Sequence, residues 1–107
     1  MASISFKFIF CLAFLVSASV ADTILFFDHP EFQGHSYPVT ITGRGCYNFP
    51  GEWNDRVSSV NTQGGCIVAW EKGSCSGRSS RIAPGTPAHN NLAAVDFSNI
   101  ISSFKLC

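Results

Sequence analysis

The chain has 107 residues, with seven basic and seven acidic side chains and a formal net charge of 0. A chain of this length predicts one domain. Because no basic stripe and no acidic tail runs along the sequence, nucleic acid and an anionic membrane surface are poor candidates as partners.

The first 21 residues have the pattern of a secretory signal peptide. Lys7 gives a basic start, residues 8–16 are apolar, and Ser19-Val20-Ala21 is a cleavage site of small residues. The apolar run is too short to span a membrane, and no other segment is apolar enough to do so. We therefore predict a secreted, extracellular mature chain, residues 22–107, with a formal charge of −1 after loss of Lys7.

Cysteine usage agrees with export. Cys11 lies in the predicted signal peptide, and four cysteines remain, at Cys46, Cys66, Cys75 and Cys107. An even number in a small secreted domain indicates two disulfides, for which three connectivities are possible. A zinc site is the alternative, but the chain has no Cys-x-x-Cys pair and an oxidising compartment favours disulfides.

After Asp22, short β-branched and aromatic runs alternate with turn residues, and no stretch shows a sustained helical period. Strands are predicted at 23–27, 35–41, 46–49 and 58–61, and then at 66–70, 78–83, 92–95 and 100–106. In the second half, Leu92–Val95 is only the best candidate for a third strand. Many short strands separated by Gly and Pro predict an all-β sandwich, with Thr62-Gln63-Gly64-Gly65 joining its halves.

A polar signature occurs near the end of each half. Residues 53–60 contain Asn54-Asp55 followed by Ser58-Ser59. Residues 98–103 read Ser-Asn-Ile-Ile-Ser-Ser, about 44 residues later, a spacing that indicates an internal repeat. Asn and Asp tolerate left-handed backbone, so each signature predicts a tight loop that leads into a strand.

A second marker repeats near the start of each half, where an aromatic residue is followed seven positions later by glycine. The pairs are Phe27 with Gly34 and Trp70 with Gly77. Each half therefore reads as aromatic residue, hairpin, glycine and signature loop.

Together the two markers resemble the βγ-crystallin Greek-key motif. Residues 26–37 are similar to the folded first hairpin of that family, and residues 70–77 are similar but contain Cys75. The resemblance implies two Greek-key motifs that form a βγ-crystallin-like β-sandwich, with motif 1 in residues 22–62 and motif 2 in residues 66–107.

The same resemblance implies a disulfide pairing. In such a fold the third strand of motif 1 lies beside the last strand of motif 2, so a Cys46–Cys107 bond is expected. A Cys66–Cys75 bond then remains as a local link on the second hairpin.

Calcium binding is also implied by the resemblance. In that family a site forms where the signature loop of one motif meets the first hairpin of the other. The third signature residue offers its backbone carbonyl, and the fifth offers its hydroxyl. The first site would use the Arg56 carbonyl, the Ser58 hydroxyl and a carbonyl near Glu71 or Lys72. The second would use the Ile100 carbonyl, the Ser102 hydroxyl and a carbonyl near Asp28 or His29.

Both sites depart from an ideal calcium ligand set. Ser98 stands where the second signature should have Asn or Asp, and Lys72 places a cation beside the first site. Because few negative charges converge, we expect an affinity on the order of 10⁻⁴ M, typical of weak extracellular modules. The alternative is that the signature side chains only tie down their loops through bonds to the backbone.

The sequence contains no recognisable catalytic constellation. The three histidines are His29, His35 and His89, and no Gly-x-Ser-x-Gly, His-Glu-x-x-His or phosphate-binding glycine loop occurs. With four cysteines assigned to disulfides, no thiol nucleophile is left. We expect a protein that is not an enzyme.

The aromatic residues are expected to serve packing. Phe27 and Trp70 should lie on their own hairpins, and Phe32, Phe97 and Phe104 in the core. An exposed, ligand-binding Trp53 is the less favoured alternative.

Two function classes follow. The first is a secreted, calcium-binding structural or coat-like module, monomeric, with an extracellular protein or cell-surface partner. The second is a secreted antimicrobial protein, toxin or peptidase inhibitor. An antimicrobial usually has a positive net charge, which this chain lacks. An inhibitor presents a rigid loop, for which residues 84–91 are the candidate.

Overall fold

A computed structural model describes residues 21–86 and 88–107. The predicted signal peptide therefore lies outside the described residues except for Ala21. The described part folds as seven strands and one short 3-10 helix. Their bounds are β1 Asp22–His29, β2 Gln33–Ile41, β3 Tyr47–Asn48, β4 Ser59–Asn61, β5 Ile67–Lys72, β6 Ser76–Ile82, the 3-10 helix Leu92–Val95 and β7 Ser103–Leu106.

The strands form two antiparallel sheets, and one strand of the first half of the chain joins the sheet of the second half. The first sheet has the order β2-β1-β4, and the second has the order β3-β7-β5-β6. β3 comes from the first half but pairs with β7, with Tyr47 opposite Phe104. The predicted all-β sandwich of two Greek-key motifs is confirmed.

The core lies between the sheets and follows from alternation along each strand. Ile24 and Phe26 of β1 are fully buried, as are Ile67 and Ala69 of β5. The Phe26 ring lies 4.9 Å from the ring of Phe104 in the opposite sheet. Burying one such ring contributes about 2–3 kcal/mol, so these aromatic contacts are a major part of what holds the sheets together.

The aromatic predictions are only partly confirmed. Phe97 and Phe104 are buried, and Trp53 is only 7% exposed, with its ring stacked 5.2 Å from that of Tyr37. The prediction for Phe32 is wrong, because this side chain is half-buried on the outside of the first hairpin, 5.6 Å from the Phe27 ring.

The predicted third strand of motif 2 is also wrong, because Leu92–Val95 is a 3-10 helix. The Asn91 side chain caps its start by accepting from the Ala93 amide, and Asp96 ends it in left-handed backbone. The segment before it does follow β4, since the Val60 amide donates to the His89 carbonyl and the Leu92 amide to the Ser58 carbonyl. Local capping thus replaces the regular ladder expected at this edge.

The predicted disulfide pairing is wrong as well. The bonds are Cys46–Cys75 and Cys66–Cys107. The register of β5 with β7 places Ile67 opposite Leu106, so Cys66 and Cys107 lie directly opposite each other just beyond the strands.

β3 does lie beside β7, as expected, but its register aligns Cys46 with Lys105 rather than with Cys107. The tip of the second hairpin then folds onto β3, where the Ser74 amide donates to Asn48 Oδ1 at 2.6 Å. This contact brings Cys75 to Cys46. Two disulfides in so small a domain indicate an oxidising, extracellular environment.

No helix in the described ranges is long and apolar enough to cross a membrane.

Candidate metal centre

The two signature loops meet at the contact between the motifs and hold each other through matched backbone hydrogen bonds. The Asp55 amide donates to the Ile101 carbonyl at 3.1 Å, and the Asn99 amide donates to the Val57 carbonyl at 2.8 Å. Asp55 and Asn99 are both left-handed, with φ of 59° and 61°. Because each donor and acceptor has its equivalent in the other half, the loops are related by an approximate two-fold axis.

The first cluster of oxygen atoms, which we call the Ser58 clamp, consists of Ser58, Ser98 and Asn99. Ser58 Oγ donates to Asn99 Oδ1 at 3.0 Å, and Ser98 Oγ donates to Ser58 Oγ at 3.3 Å. Ser58 is only 4% exposed, while Asn99 is exposed at the outer end of the cluster. The clamp therefore joins a buried hydroxyl of motif 1 to side chains of motif 2, and it is uncharged.

The second cluster, the Ser102 clamp, consists of Ser102 and Asp55. Ser102 Oγ donates to Asp55 Oδ1 at 3.3 Å. Here motif 2 supplies the hydroxyl and motif 1 supplies the carboxylate. The two clamps thus have the same plan, but only the Ser102 clamp carries a negative charge.

The hairpins next to the clamps are exchanged relative to the sequence-based expectation. The Ser58 amide donates to the Phe27 carbonyl at 2.8 Å, so Ser58 adjoins its own motif's hairpin rather than the Lys72 turn. The Ser102 amide donates to the Trp70 carbonyl at 2.9 Å, so Ser102 adjoins the second hairpin rather than His29. What crosses between the motifs is the Asn or Asp side chain, which the predicted ligand sets did not include.

The other predicted ligands flank these clusters. Arg56 lies between Asp55 and Val57 in the first loop, and its guanidinium covers the Trp53 ring at 4.6 Å. Ile100 occupies the equivalent place in the second loop, between Asn99 and Ile101.

The predicted hairpin carbonyls are held by the last serine of each signature. Ser59 Oγ donates to the His29 carbonyl at 2.7 Å, and Ser103 Oγ donates to the Lys72 carbonyl. Each serine is fully buried and also accepts an amide hydrogen, from Phe32 for Ser59 and from Cys75 for Ser103. Sequence reasoning missed this role, although the repeated Ser-Ser pair was the available signal.

Asp28 follows Phe27, the residue whose carbonyl accepts from the Ser58 amide. Its carboxylate accepts from the Arg56 guanidinium at 3.1 Å and from the His35 amide at 2.8 Å. Desolvation by burial raises the pKa of Asp28, but the bonds from Arg56 and His35 outweigh it and lower the pKa to about 2. The negative charge of Asp28 is therefore already neutralised by Arg56.

The donor chemistry of the clamps fits a hard cation. Both offer hydroxyl and backbone carbonyl oxygens, to which the Ser58 clamp adds an amide oxygen and the Ser102 clamp a carboxylate, and all of these are ligands that calcium takes. Within residues 21–86 and 88–107, no three His, Cys, Asp or Glu side chains converge as a metal-binding group. Calcium bound here would thus rely on neutral oxygens and at most one carboxylate per clamp.

Comparison with known proteins agrees with this architecture. The model of the Beta/Gamma crystallin family matches residues 23–106. No curated protein matches the chain in sequence.

Three solved structures illustrate the similarity. A betagamma-crystallin from an archaeon is 25% identical, with a TM-score of 0.65 over 82% of this chain and 100% of its own. One from Ciona intestinalis is 23% identical, with a TM-score of 0.63 over 79% and 99% of the two chains. A domain of Abundant Perithecial Protein from Neurospora crassa, in its Ca2+-bound form, is 21% identical, with a TM-score of 0.57 over 84% and 93%.

The chain therefore belongs to the beta/gamma crystallin family. Domains of this family are typically structural rather than enzymatic.

Proposed function

We propose that this protein is a secreted, non-enzymatic βγ-crystallin module with a structural role outside the cell, and that it binds calcium weakly at its two clamps. The supporting observation is the reciprocity of the clamps. Each pairs a serine hydroxyl of one motif with an Asn or Asp oxygen of the other. A cation held there would link the two motifs and stabilise the folded domain.

The similarity to a calcium-bound relative adds to this argument. The Neurospora crassa domain with the same fold is described in its Ca2+-bound form. Its likeness to this chain establishes the fold alone, so the ligands proposed here rest on this chain's own clamps.

The Ser102 clamp is proposed as the stronger site, because Asp55 gives it a carboxylate while Asn99 leaves the Ser58 clamp neutral. In the Ser102 clamp the cation would be held by the Ser102 hydroxyl, the Asp55 carboxylate and the Ile100 carbonyl. In the Ser58 clamp it would be held by the Ser58 hydroxyl, the Asn99 amide oxygen and the Arg56 carbonyl. The expected affinity of the stronger site is on the order of 10⁻⁴ M.

Bound calcium would link oxygen atoms of the two motifs, and it would take part in no chemical reaction. The serine hydroxyls now donate to Asn99 and Asp55, so binding requires each hydroxyl proton to turn away from the cation. The buried Ser59 and Ser103 would keep the hairpins in place while this happens.

The test is a thermal melt of the disulfide-bonded secreted chain with EDTA or with 10 mM calcium, supported by calorimetric titration. A site with a dissociation constant near 10⁻⁴ M adds about 2.7 kcal/mol at that concentration, which raises Tm by on the order of 10 °C. A melt that does not move, with no heat of binding, would remove calcium from the proposal.

Matched variants assign the sites. Asp55→Asn should abolish most of the shift by making the Ser102 clamp neutral. Asn99→Asp should enlarge the shift by giving the Ser58 clamp its own carboxylate. Equal shifts in both variants and the parent would show that calcium binds elsewhere.

The structural role has its own test, because secreted antimicrobial proteins, toxins and peptidase inhibitors remain the alternative. Growth-inhibition and peptidase panels should be silent. A potent effect in either would replace the structural role without affecting the calcium measurement.

A further inference from the structure

The two motifs carry opposite net charges. Motif 1, residues 22–62, has five acidic and two basic side chains and a net charge of −3. Motif 2, residues 66–107, has two acidic and four basic side chains and a net charge of +2. The near-zero total therefore hides a basic half, whose positive charge the fold can concentrate on one surface.

The strand register gathers part of that charge on the outer face of the second sheet. Lys105 of β7 and Arg81 of β6 both lie opposite Val68, which stands between them on β5. Their neighbours Ile67 and Ala69 point into the core, so these three side chains point outward. The row Lys105–Val68–Arg81 thus crosses three strands and sets the Cα atoms of its two basic residues about 10 Å apart.

An aromatic ring completes the surface. Trp70 follows Val68 by two residues on β5, so it projects from the same face, and it is half-buried. Lys105 Nζ lies 5.4 Å from the centre of its ring. We call Trp70, Lys105, Arg81 and Val68 the basic face.

No acidic side chain in the described part of the chain neutralises the basic face. The one carboxylate on β5, Glu71, is paired with Arg78 at 3.6 Å. Neither Lys105 nor Arg81 forms an ion pair with a described residue. The corresponding face of the first sheet differs, because its outward side chains are uncharged, as Leu25 and Phe27 of β1 and Pro38 of β2 show.

We infer that the basic face binds an acidic polysaccharide, with Lys105 and Arg81 pairing to successive anionic groups of one chain and Trp70 stacking against a sugar ring. Charge complementarity identifies the polyanion. A row of basic residues across neighbouring strands suits a linear polymer with regularly spaced anions.

Two other polyanions fit the face less well. Trp70 lies half-buried within β5, so it offers a contact surface rather than a wedge that could enter a bilayer. Single-stranded nucleic acid is held by successive bases on several aromatic rings, whereas the basic face has one. The inference does not depend on calcium binding, and it is tested without calcium.

The test measures binding of the disulfide-bonded chain to immobilised polygalacturonate in EDTA, with neutral dextran as the reference. Binding to polygalacturonate alone is expected. Two cations acting by counterion release should lose roughly sevenfold in affinity between 50 and 200 mM NaCl. Equal binding to dextran would overturn the inference.

The double variant Arg81→Gln, Lys105→Gln should weaken binding about tenfold or more, the loss expected for two charge-assisted contacts. The matched control Ser36→Glu, Thr42→Glu changes the net charge equally but on exposed positions of motif 1, and it should bind nearly as the parent does. If both double variants lost the same affinity, the binding would depend only on overall net charge, and the assignment to the basic face would be overturned.

The role of the ring is tested by Trp70→Phe, which keeps an aromatic residue where the first hairpin has Phe27. It should weaken binding severalfold with an unchanged melt, because stacking area is lost but the hairpin packing is kept. Phosphatidylserine vesicles and single-stranded DNA are run beside the polysaccharide. Tighter binding of either one, lost in the Arg81 and Lys105 double variant, would overturn the assignment to a polysaccharide.

Discussion

The two folded hairpins have the same backbone conformation but are stabilised by different side chains. Both have an irregularity after the aromatic residue, two left-handed residues at the tip and a glycine with φ of 83° or 84°. In the first hairpin Asp28 bonds the His35 amide and ring, and in the second Glu71 bonds the Arg78 amide and guanidinium.

Their tips are attached differently. The Cys46–Cys75 disulfide fixes the second tip to β3. The first tip is held by hydrogen bonds alone. The Glu31 amide donates to the Asn90 carbonyl, and the Asn90 side-chain amide donates to the Glu31 carboxylate. The glycine and the last signature serine, which both hairpins share, therefore define the hairpin, while the outer cross-links can be replaced.

The largest expected difference between the hairpins concerns their glycines. A Cβ at Gly34 would lie 2.2 Å from Asp28 Oδ1 and from His29 Cδ2, whereas a Cβ at Gly77 would lie 3.0 Å from Glu71 Cγ. Gly77→Ala should cost about 1–2 kcal/mol, the cost of left-handed backbone. Gly34→Ala should cost about 3 kcal/mol or more, because it also displaces Asp28 from Arg56 and His35. Urea unfolding measures both.

A double variant separates backbone strain from the clash. Asp28→Ala removes one of the two groups that the new methyl group meets, and the other, the exposed His29 ring, can turn aside, so the additional cost of Gly34→Ala should fall towards that of Gly77→Ala. If the two glycine variants were equally unstable in the parent chain, the proposed lock on Asp28 would be contradicted.

The next difference concerns the buried serines. Ser59→Ala and Ser103→Ala each remove one donor and one acceptor from a fully buried site, for a cost of about 2–3 kcal/mol. Their local effects should differ, because only the second hairpin keeps a disulfide at its tip. Hydrogen exchange should show the Phe32 amide opening in Ser59→Ala while the Cys75 amide stays largely protected in Ser103→Ala.

The matched background is Cys46→Ser, Cys75→Ser, in which both tips lack a covalent bond. There the Cys75 amide should open in Ser103→Ala as readily as the Phe32 amide does in Ser59→Ala. Unequal opening in that background would show that something other than the disulfide distinguishes the tips.

The hairpins and signature loops could be predicted because their determinants are local. A residue that must be left-handed, as at Gly34 or Asp55, leaves a mark in the sequence itself. Two such marks at a fixed spacing were enough to predict both motifs and the sandwich. The predicted strand at Leu92–Val95 was wrong for a local reason too, because the Asn91 cap favours a 3-10 helix over the strand expected from the repeat.

Features that depend on register could not be predicted. Which cysteine faces Cys107 is decided by the alignment of β5 with β7, and a shift of one residue changes every partner. The clamps depend on how the two loops meet, so Asn99 and Asp55 were missed as partners of Ser58 and Ser102. Each serine's own hairpin was likewise set by packing of the motifs rather than by residue type.

The loss of folding stability at acidic pH tests the first hairpin, whose tip has no disulfide. The pKa of Asp28 is about 2 in the folded protein, below its ordinary value of 3.8. A carboxyl group with a lowered folded-state pKa stabilises fully above its unfolded pKa and loses that contribution as pH falls towards the folded one. At pH 5, Asp28→Asn should therefore be less stable than the parent. Between pH 4 and pH 2, its free energy of unfolding should fall less than that of the parent, as measured by urea unfolding.

Arg56→Gln serves as the matched variant, because it removes the strongest partner of the carboxylate and leaves the carboxylate itself. It should move the loss of stability towards higher pH. A parent and an Asp28→Asn variant with parallel pH profiles from 5 to 2 would contradict the role given to this ion pair.

The smallest expected effect concerns the segment that takes the place of a strand at the edge of the first sheet. His89 packs there with its ring 5.5 Å from that of Phe32, and desolvation by burial lowers its pKa. Because the folded protein favours the neutral imidazole, this contribution is present above the unfolded pKa of about 6.5 and is lost as pH falls below it. His89→Gln should reduce the difference in Tm between pH 7.5 and pH 5, with His29→Gln as the matched loss of an exposed imidazole. An unchanged difference in His89→Gln would show that protonation of this ring does not loosen the edge.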